Sequence, residues 1–334
     1  MQLYKKKSTL FAMLLIAAIL FNGCKDNGTD VNDENRNYRQ DMRDFVEGIS
    51  VYAKSLDNDF LIIPQNGHQL ITDSGEASGE LVLGYLNAID GVGREDLFYG
   101  YNGDYEPTPL KDTQEMIGFM DVAEQNDVQV LVTDYCRDTS FVDSSYQRCF
   151  EKGYISFAAE HRDLNNIPDY PGDPFNENSD DIRSLADAKN FLYLINCALF
   201  STKEGFLDAL QNTNYDIILI DLFFKDGVQL SAENILSLKT KLNGGKRLII
   251  AYMSIGEAED YRYYWKEEWR SNPPSWMEEE NPHWEGNFKV RYWDETWQDI
   301  IFGNDESYLK KIIDSGFDGV YLDIIDAFEY FEED

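Results

Sequence analysis

Histidine and cysteine are sparse in this chain. His68, His161 and His283 stand far apart, and the four cysteines, Cys24, Cys136, Cys149 and Cys197, form no Cys-x-x-Cys pair. No zinc-ligand spacing results, so no metal or other cofactor is expected, and a metal-dependent deacetylase is disfavoured. Cys136 and Cys149 are close enough in sequence for a disulfide, but nothing else supports pairing, and none is expected. Basic residues are few as well: 29 Lys and Arg stand against 62 Asp and Glu, for a net charge of −33. Phosphate contacts need Lys and Arg, so nucleic acid is not an expected partner. Neither G-x-G-x-x-G nor G-x-x-x-x-G-K-[ST] occurs, which argues against nucleotide enzymes, an aminoacyl-tRNA synthetase included. The acid excess favours solubility and is compatible with a cationic ligand.

The apolar run Leu10 to Phe21 is too short to span a bilayer. It follows Lys5-Lys6-Lys7 and precedes Asn22-Gly23-Cys24, so residues 1–23 read as a secretory signal. A small residue followed by Cys resembles a bacterial lipoprotein signal. That resemblance implies lipidation of Cys24, a membrane anchor, and a location in the bacterial envelope, at the outer membrane or cell surface. Losing this segment removes three lysines and no acid, taking the charge from −33 to −36. Residues 24–40 are polar without apolar period and read as a flexible acidic tether. Residues 41–334 are then one domain, expected as a monomer, with 164–181, rich in Pro, Asp and Asn, as the best internal boundary.

Apolar runs suited to strands fall at 60–63, 90–98, 128–133, 191–195, 216–220, 247–252, 289–292 and 318–322, with 153–159 as a possible ninth. Helix-length segments separate nearly all of them, including 39–55, 81–88, 113–125, 203–211, 231–242 and 305–315. About eight β–α alternations over one domain predict an α/β fold of the (β/α)₈ barrel type. A doubly wound open sheet is the alternative.

The strand ends carry Asn66, Arg94, Glu95, Asp134, Asp221, Glu257, Glu259, Asp294 and Asp323, and Asp326 follows one turn later. One such acid is ordinarily a helix cap. Acids at most strand ends would ring the mouth of a barrel, where burial and like charge drive pKa values apart. Glycosidic cleavage needs that: one carboxyl protonated to donate to the leaving oxygen, another ionised as base or nucleophile. Tyr135, Tyr252, Trp293 and Tyr321 lie beside the same ends and suit stacking on sugar rings, although core packing is the commoner use of each.

Five segments carry a resemblance: Ile62 to Gly67, Gly91 to Phe98, Tyr252 to Arg262, Tyr292-Trp293-Asp294, and Gly316 to Asp326. Together they resemble the endo-α-1,4-polygalactosaminidases, glycoside hydrolase family 114, over nearly all of residues 46–334. The resemblance implies a (β/α)₈ barrel and endo-acting cleavage of galactosamine-containing polysaccharide. It implies Asp323 as nucleophile and Glu95 as acid/base, with the reverse open. Asn66, Arg94, Asp134, Asp221, Tyr252, Glu257, Trp293 and Asp326 would bind substrate. In the family's usual order the Pro-Gln-Asn-Gly and Arg-Glu-Asp segments follow the Leu-Asp segment, whereas here they precede it, as in a circularly permuted barrel. Strand 60–63 should then lie beside 318–322. The alternative is a surface lipoprotein that keeps the barrel and binds glycan without cleaving it.

Overall fold

The computed structural model describes residues 36–333, so the leader and Cys24 lie outside the described residues. The strands in chain order are β1 (Leu61–Pro64), β2 (Gly91–Glu95), β3 (Gln129–Tyr135), β4 (Ile155–Ala159), β5 (Phe191–Leu194), β6 (Ile217–Asp221), β7 (Phe223–Phe224), β8 (Val228–Gln229), β9 (Leu248–Ser254), β10 (Glu257–Glu259), β11 (Met277–Glu280), β12 (Asn287–Val290) and β13 (Gly319–Asp323). Eight are parallel. Five form one sheet in the order β1-β13-β9-β6-β5, and three form another, β2-β3-β4. Single parallel bridges, Gln65 with Gly93 and Ser156 with Asn190, join the two sheets at either end. The protein is thus α/β with a parallel central sheet, and Asn37–Asp334 is one unit.

The parallel strands are buried on both faces, which is why they read as continuous apolar runs rather than as alternating ones. The expected adjacency holds: Leu61 pairs with Gly319, and Ile63 with Tyr321. Gly319 makes it possible, because a Cβ there would sit 2.6 Å from the Leu61 carbonyl oxygen. One expected strand belongs elsewhere. The run at 289–292 is represented by β12, which pairs antiparallel with β10 and β11 in a small separate sheet. The eighth parallel strand is β4, from the run at 153–159, whose five residues are all buried while β12 is mostly half-exposed. Periodicity could not choose between two short runs; burial on both faces does.

Helices flank the strands. Tyr38–Leu56 turns Met42, Phe45, Val46, Ile49 and Ala53 inward, and Asn37 caps it by accepting from the Gln40 amide. Its start is tied to the end of the chain by Arg39, which pairs with Glu332. The 164–181 segment lies inside the unit, held by Asn190 donating to the Phe175 carbonyl and Asn178 to Asp216. Cys136 and Cys149 are buried free thiols. Among the described residues no helix is long and apolar enough to cross a membrane.

Candidate active site

The C-terminal ends of the parallel strands open into one cavity of about 1030 Å³, near the top of the range for small-molecule sites. Asn66, Glu95, Asp221, Tyr252, Glu257, Asp323 and Asp326 all line it. Glu95 ends β2 and Asp323 ends β13, with β1 between them. Their main chains are therefore about 10 Å apart, two strand spacings, and residues of β1's end fill the gap.

The two acids have different surroundings. Glu95 is half-buried and accepts from three side chains. The Gln65 amide and the Asn66 amide, at 3.2 Å, reach one oxygen, and the Tyr135 hydroxyl reaches the other. Gln65 is oriented in turn by the Tyr193 hydroxyl, 2.9 Å from its amide oxygen. The Arg162 guanidinium covers the Tyr135 ring at 3.9 Å and pairs with Asp96 and Asp104. Among the described residues Asp323 accepts only from the Tyr252 hydroxyl, at 2.7 Å, and from the Ile324 amide next to it, at 2.8 Å. Burial, and then the charge of Glu95, push the Asp323 carboxyl up to about 8. It caps no helix. Asp326 is pushed up to about 6, by burial first and then by Glu329.

Backbone strain marks the same places. Asn66, Asp96 and Ile324 all have positive φ, near 60°, and each sits at the end of one of these three strands. For a β-branched residue such as Ile324 that conformation is a genuine outlier, and such outliers gather at functional sites. Ile324 immediately follows Asp323, and Asp96 follows Glu95. Beneath the acids, Gly93 leaves room for the Tyr321 hydroxyl, which would lie 1.9 Å from a Cβ there.

Three expected binding residues lie away from the cavity. Arg94 precedes Glu95 on β2, and consecutive strand residues face opposite ways, so both could not enter it. Its guanidinium is buried instead, donating to the Glu95 carbonyl and lying 3.1 Å from His68 Nδ1. The same alternation on β3 turns Tyr135 inward and Asp134 outward. Asp134 is fully buried and accepts from the Phe98 and Tyr99 amides and the Ser145 hydroxyl, so it holds its own loop. Trp293 packs on Tyr38 and Phe331. Asp294 is a helix cap, accepting from the Thr296 amide.

Other residues of the cavity had weaker signals. Gln65 and Tyr193 follow from counting alternate positions inward along β1 and β5. Arg262 gives no such signal, because it comes from the insertion between β9 and the helix Glu295–Ile301. It is buried between Asp221 and Glu259 and pairs with both, cancelling one of their two charges. The same insertion brings Tyr261, Trp284 and Asn287 to the wall. Eight carboxylates and three cationic side chains line the cavity in all, so it stays acidic even with Arg262 in place. Among the described residues no group of three His, Cys, Asp or Glu side chains is arranged to hold a metal ion.

An α/β protein with paired carboxylates at its strand ends has the makings of a sugar-cleaving site, and sequence comparison points the same way. Residues 184–334 match the model of glycoside-hydrolase family GH114. The match includes Asp221, Tyr252, Glu257, Asp323 and Asp326, and stops short of Asn66 and Glu95. Similar proteins include an uncharacterized protein of Methanocaldococcus jannaschii, 47% identical over 137 residues, which are 40% of this chain and 37% of that one. An uncharacterized protein of Thermotoga maritima is 37% identical over 173 residues, 45% of this chain and 52% of its own length. One from Deinococcus radiodurans is 39% identical over 123 residues, 37% of each. The chain thus spans between a third and about half of the length of these relatives.

Proposed function

We propose that this protein is a glycoside hydrolase that cuts within an α-1,4-linked, galactosamine-containing polysaccharide. The observation that carries the reading is the pair Glu95 and Asp323, lining one cavity in opposite surroundings. Glu95 accepts from three side-chain donors, while burial and then the charge of Glu95 favour the protonated form of Asp323. Asp323 is then the proton donor to the leaving oxygen, and Glu95 the base or nucleophile. This reverses the roles that the family resemblance suggests. The acidic cavity suits a chain carrying free ammonium groups, and its volume suits several sugar units.

The frame for this site is read as a closed (β/α)₈ barrel, supported by the two bridges that link the ends of the parallel sheets. A circularly permuted order is supported by the family match, which takes in only the second block of the chain. Adjacency of β1 and β13 does not bear on permutation, because any closed barrel brings its first and last strands together. Lipid anchoring at Cys24 in the cell envelope completes the proposal. Replacing Cys24 with Ala should release the protein from the membrane fraction.

The test is release of reducing ends from galactosamine polymer. Asp323→Asn and Glu95→Gln should each lower it by about 10³-fold or more. Full activity in both variants would overturn the hydrolase reading, and binding without any release by the unaltered protein would leave a glycan-binding protein. With Asp323 as acid, kcat/KM falls as pH rises through about 8. A rise through that range would restore the nucleophile role to Asp323.

A further inference from the structure

A second, smaller chamber of about 200 Å³ adjoins the main cavity, and the two meet at Glu257, Ile324 and Asp326. Its other walls include Asn281, Lys289, Tyr330 and Phe331. An apolar cavity of about 150 Å³ holds one benzene ring, so this chamber takes a side group and not a polymer.

Its chemistry is mixed in a specific way. The Lys289 ammonium lies 3.5 Å over the Tyr330 ring and 3.4 Å from a Glu279 oxygen. An ammonium has three protons, so one remains to donate to a carbonyl. Asp326 makes no ion pair and no hydrogen bond to another side chain among the described residues, and it faces both cavities. Its own backbone amide donates to it and the Arg94 charge lies nearby, so with no other side chain donating it keeps acceptor positions open. Glu257, by contrast, is committed to Asn281 at 2.7 Å and Asn287 at 3.1 Å. Ala327, Ile324 and Phe331 supply apolar surface. A second ammonium here would face Lys289, and a carboxylate would face Asp326 and Glu257. What fits is a neutral group with a carbonyl, an N–H and a small apolar end.

We infer that this chamber binds the N-acyl arm of a hexosamine whose ring lies in the main cavity. The carbonyl accepts from Lys289, the amide N–H donates to Asp326, and the methyl packs on Ala327 and Phe331. The inference rests on the glycan reading above and deepens it: the main cavity favours charged amino sugars, and this chamber selects one N-acylated residue among them.

The test uses the full chain carrying Asp323→Asn, to prevent turnover, and two α-1,4-linked galactosamine trisaccharides, one N-acetylated and one not. Calorimetry should give at least about five-fold tighter binding of the acetylated sugar, roughly one to two hydrogen bonds' worth. Lys289→Met and Ala327→Leu should each collapse that ratio, and Lys289→Arg, which keeps a donor, should preserve it. Equal affinities before any change to the chamber, no binding of either sugar, or a ratio that both variants leave intact would overturn the inference. If the unaltered protein cleaves no polymer but the ratio depends on Lys289, the hydrolase reading falls and the chamber stands.

Discussion

Replacing Asp323 with Asn should shift stability in the variant's favour, relative to the parent, as pH rises out of the acid range. An acid whose folded-state pKa is raised has its stabilising contribution below the unfolded value, and loses it as pH climbs to the folded one. For Asp323 the window runs from an ordinary 3.8 to about 8. Below it the carboxyl is protonated in both states. Within it the unfolded chain ionises freely while the native carboxyl, shut in beside Glu95, does not. A shift of roughly four units at about 1.36 kcal/mol each sets a ceiling near 6 kcal/mol. The side chain is only half-buried and faces a wide cavity, so water screens most of that, and about 1–2 kcal/mol should be observed. Asn also loses an acceptor for the Ile324 amide or the Tyr252 hydroxyl, a pH-independent cost of about 1 kcal/mol. The diagnostic is therefore the change with pH and not the absolute difference. Urea unfolding of both proteins at about pH 4 and about pH 9 should show the variant gaining relative to the parent by that amount. A difference constant to within about 0.5 kcal/mol across the interval would refute the argument that Asp323 resists ionisation in the fold.

Arg262→Met should destabilise the protein by about 3–5 kcal/mol in chemical unfolding, since it leaves Asp221 and Glu259 as uncompensated charges in the wall. Trp284 is half-exposed at the cavity rim, so Trp284→Ala should raise KM on polymer by about 3–10-fold and leave the unfolding midpoint unchanged. Gly93→Ala should cost about 1–3 kcal/mol, because the new methyl meets the Tyr321 hydroxyl; adding Tyr321→Phe should recover part of it in a double-mutant cycle by thermal unfolding. Ile324→Asn should hold or raise stability, since Asn tolerates positive φ better than Ile does.

Much of the frame is legible in the sequence because parallel strands buried on both faces leave unbroken apolar runs. Seven of the eight runs marked as strands are parallel strands here, and the spare run at 153–159 supplies the eighth. The insertion from β10 to β12 is not legible in this way. Its polar, aromatic residues are fixed by contacts such as Arg262 with Asp221, made across 41 positions of chain. Position at a strand end points to Arg94 and Asp134 at the mouth, but it carries no information on which face each side chain takes. Counting alternate positions from Glu95 and Tyr135 is enough to remove both.

The acids at the strand ends separate by what satisfies them. Asp134 is satisfied by two backbone amides and a serine of its own neighbourhood, and Asp294 by the first turn of a helix. These are folding devices, complete without any ligand. Asp221 and Glu259 share Arg262, which cancels one of their two charges and holds both in place. Glu95 draws on Gln65, Asn66 and Tyr135, side chains that themselves line the cavity and are held from behind by Tyr193 and Arg162. Asp323 has two donors, and Asp326 none from another side chain among the described residues. Partnership therefore declines from the acids outside the cavity to those that line it, while the backbone strain is greatest at Ile324, between Asp323 and Asp326. Folding alone would favour the opposite gradient, because unsatisfied buried carboxyls cost free energy. A gradient in this sense is what remains when the least satisfied acids are kept for a substrate that brings the missing donors.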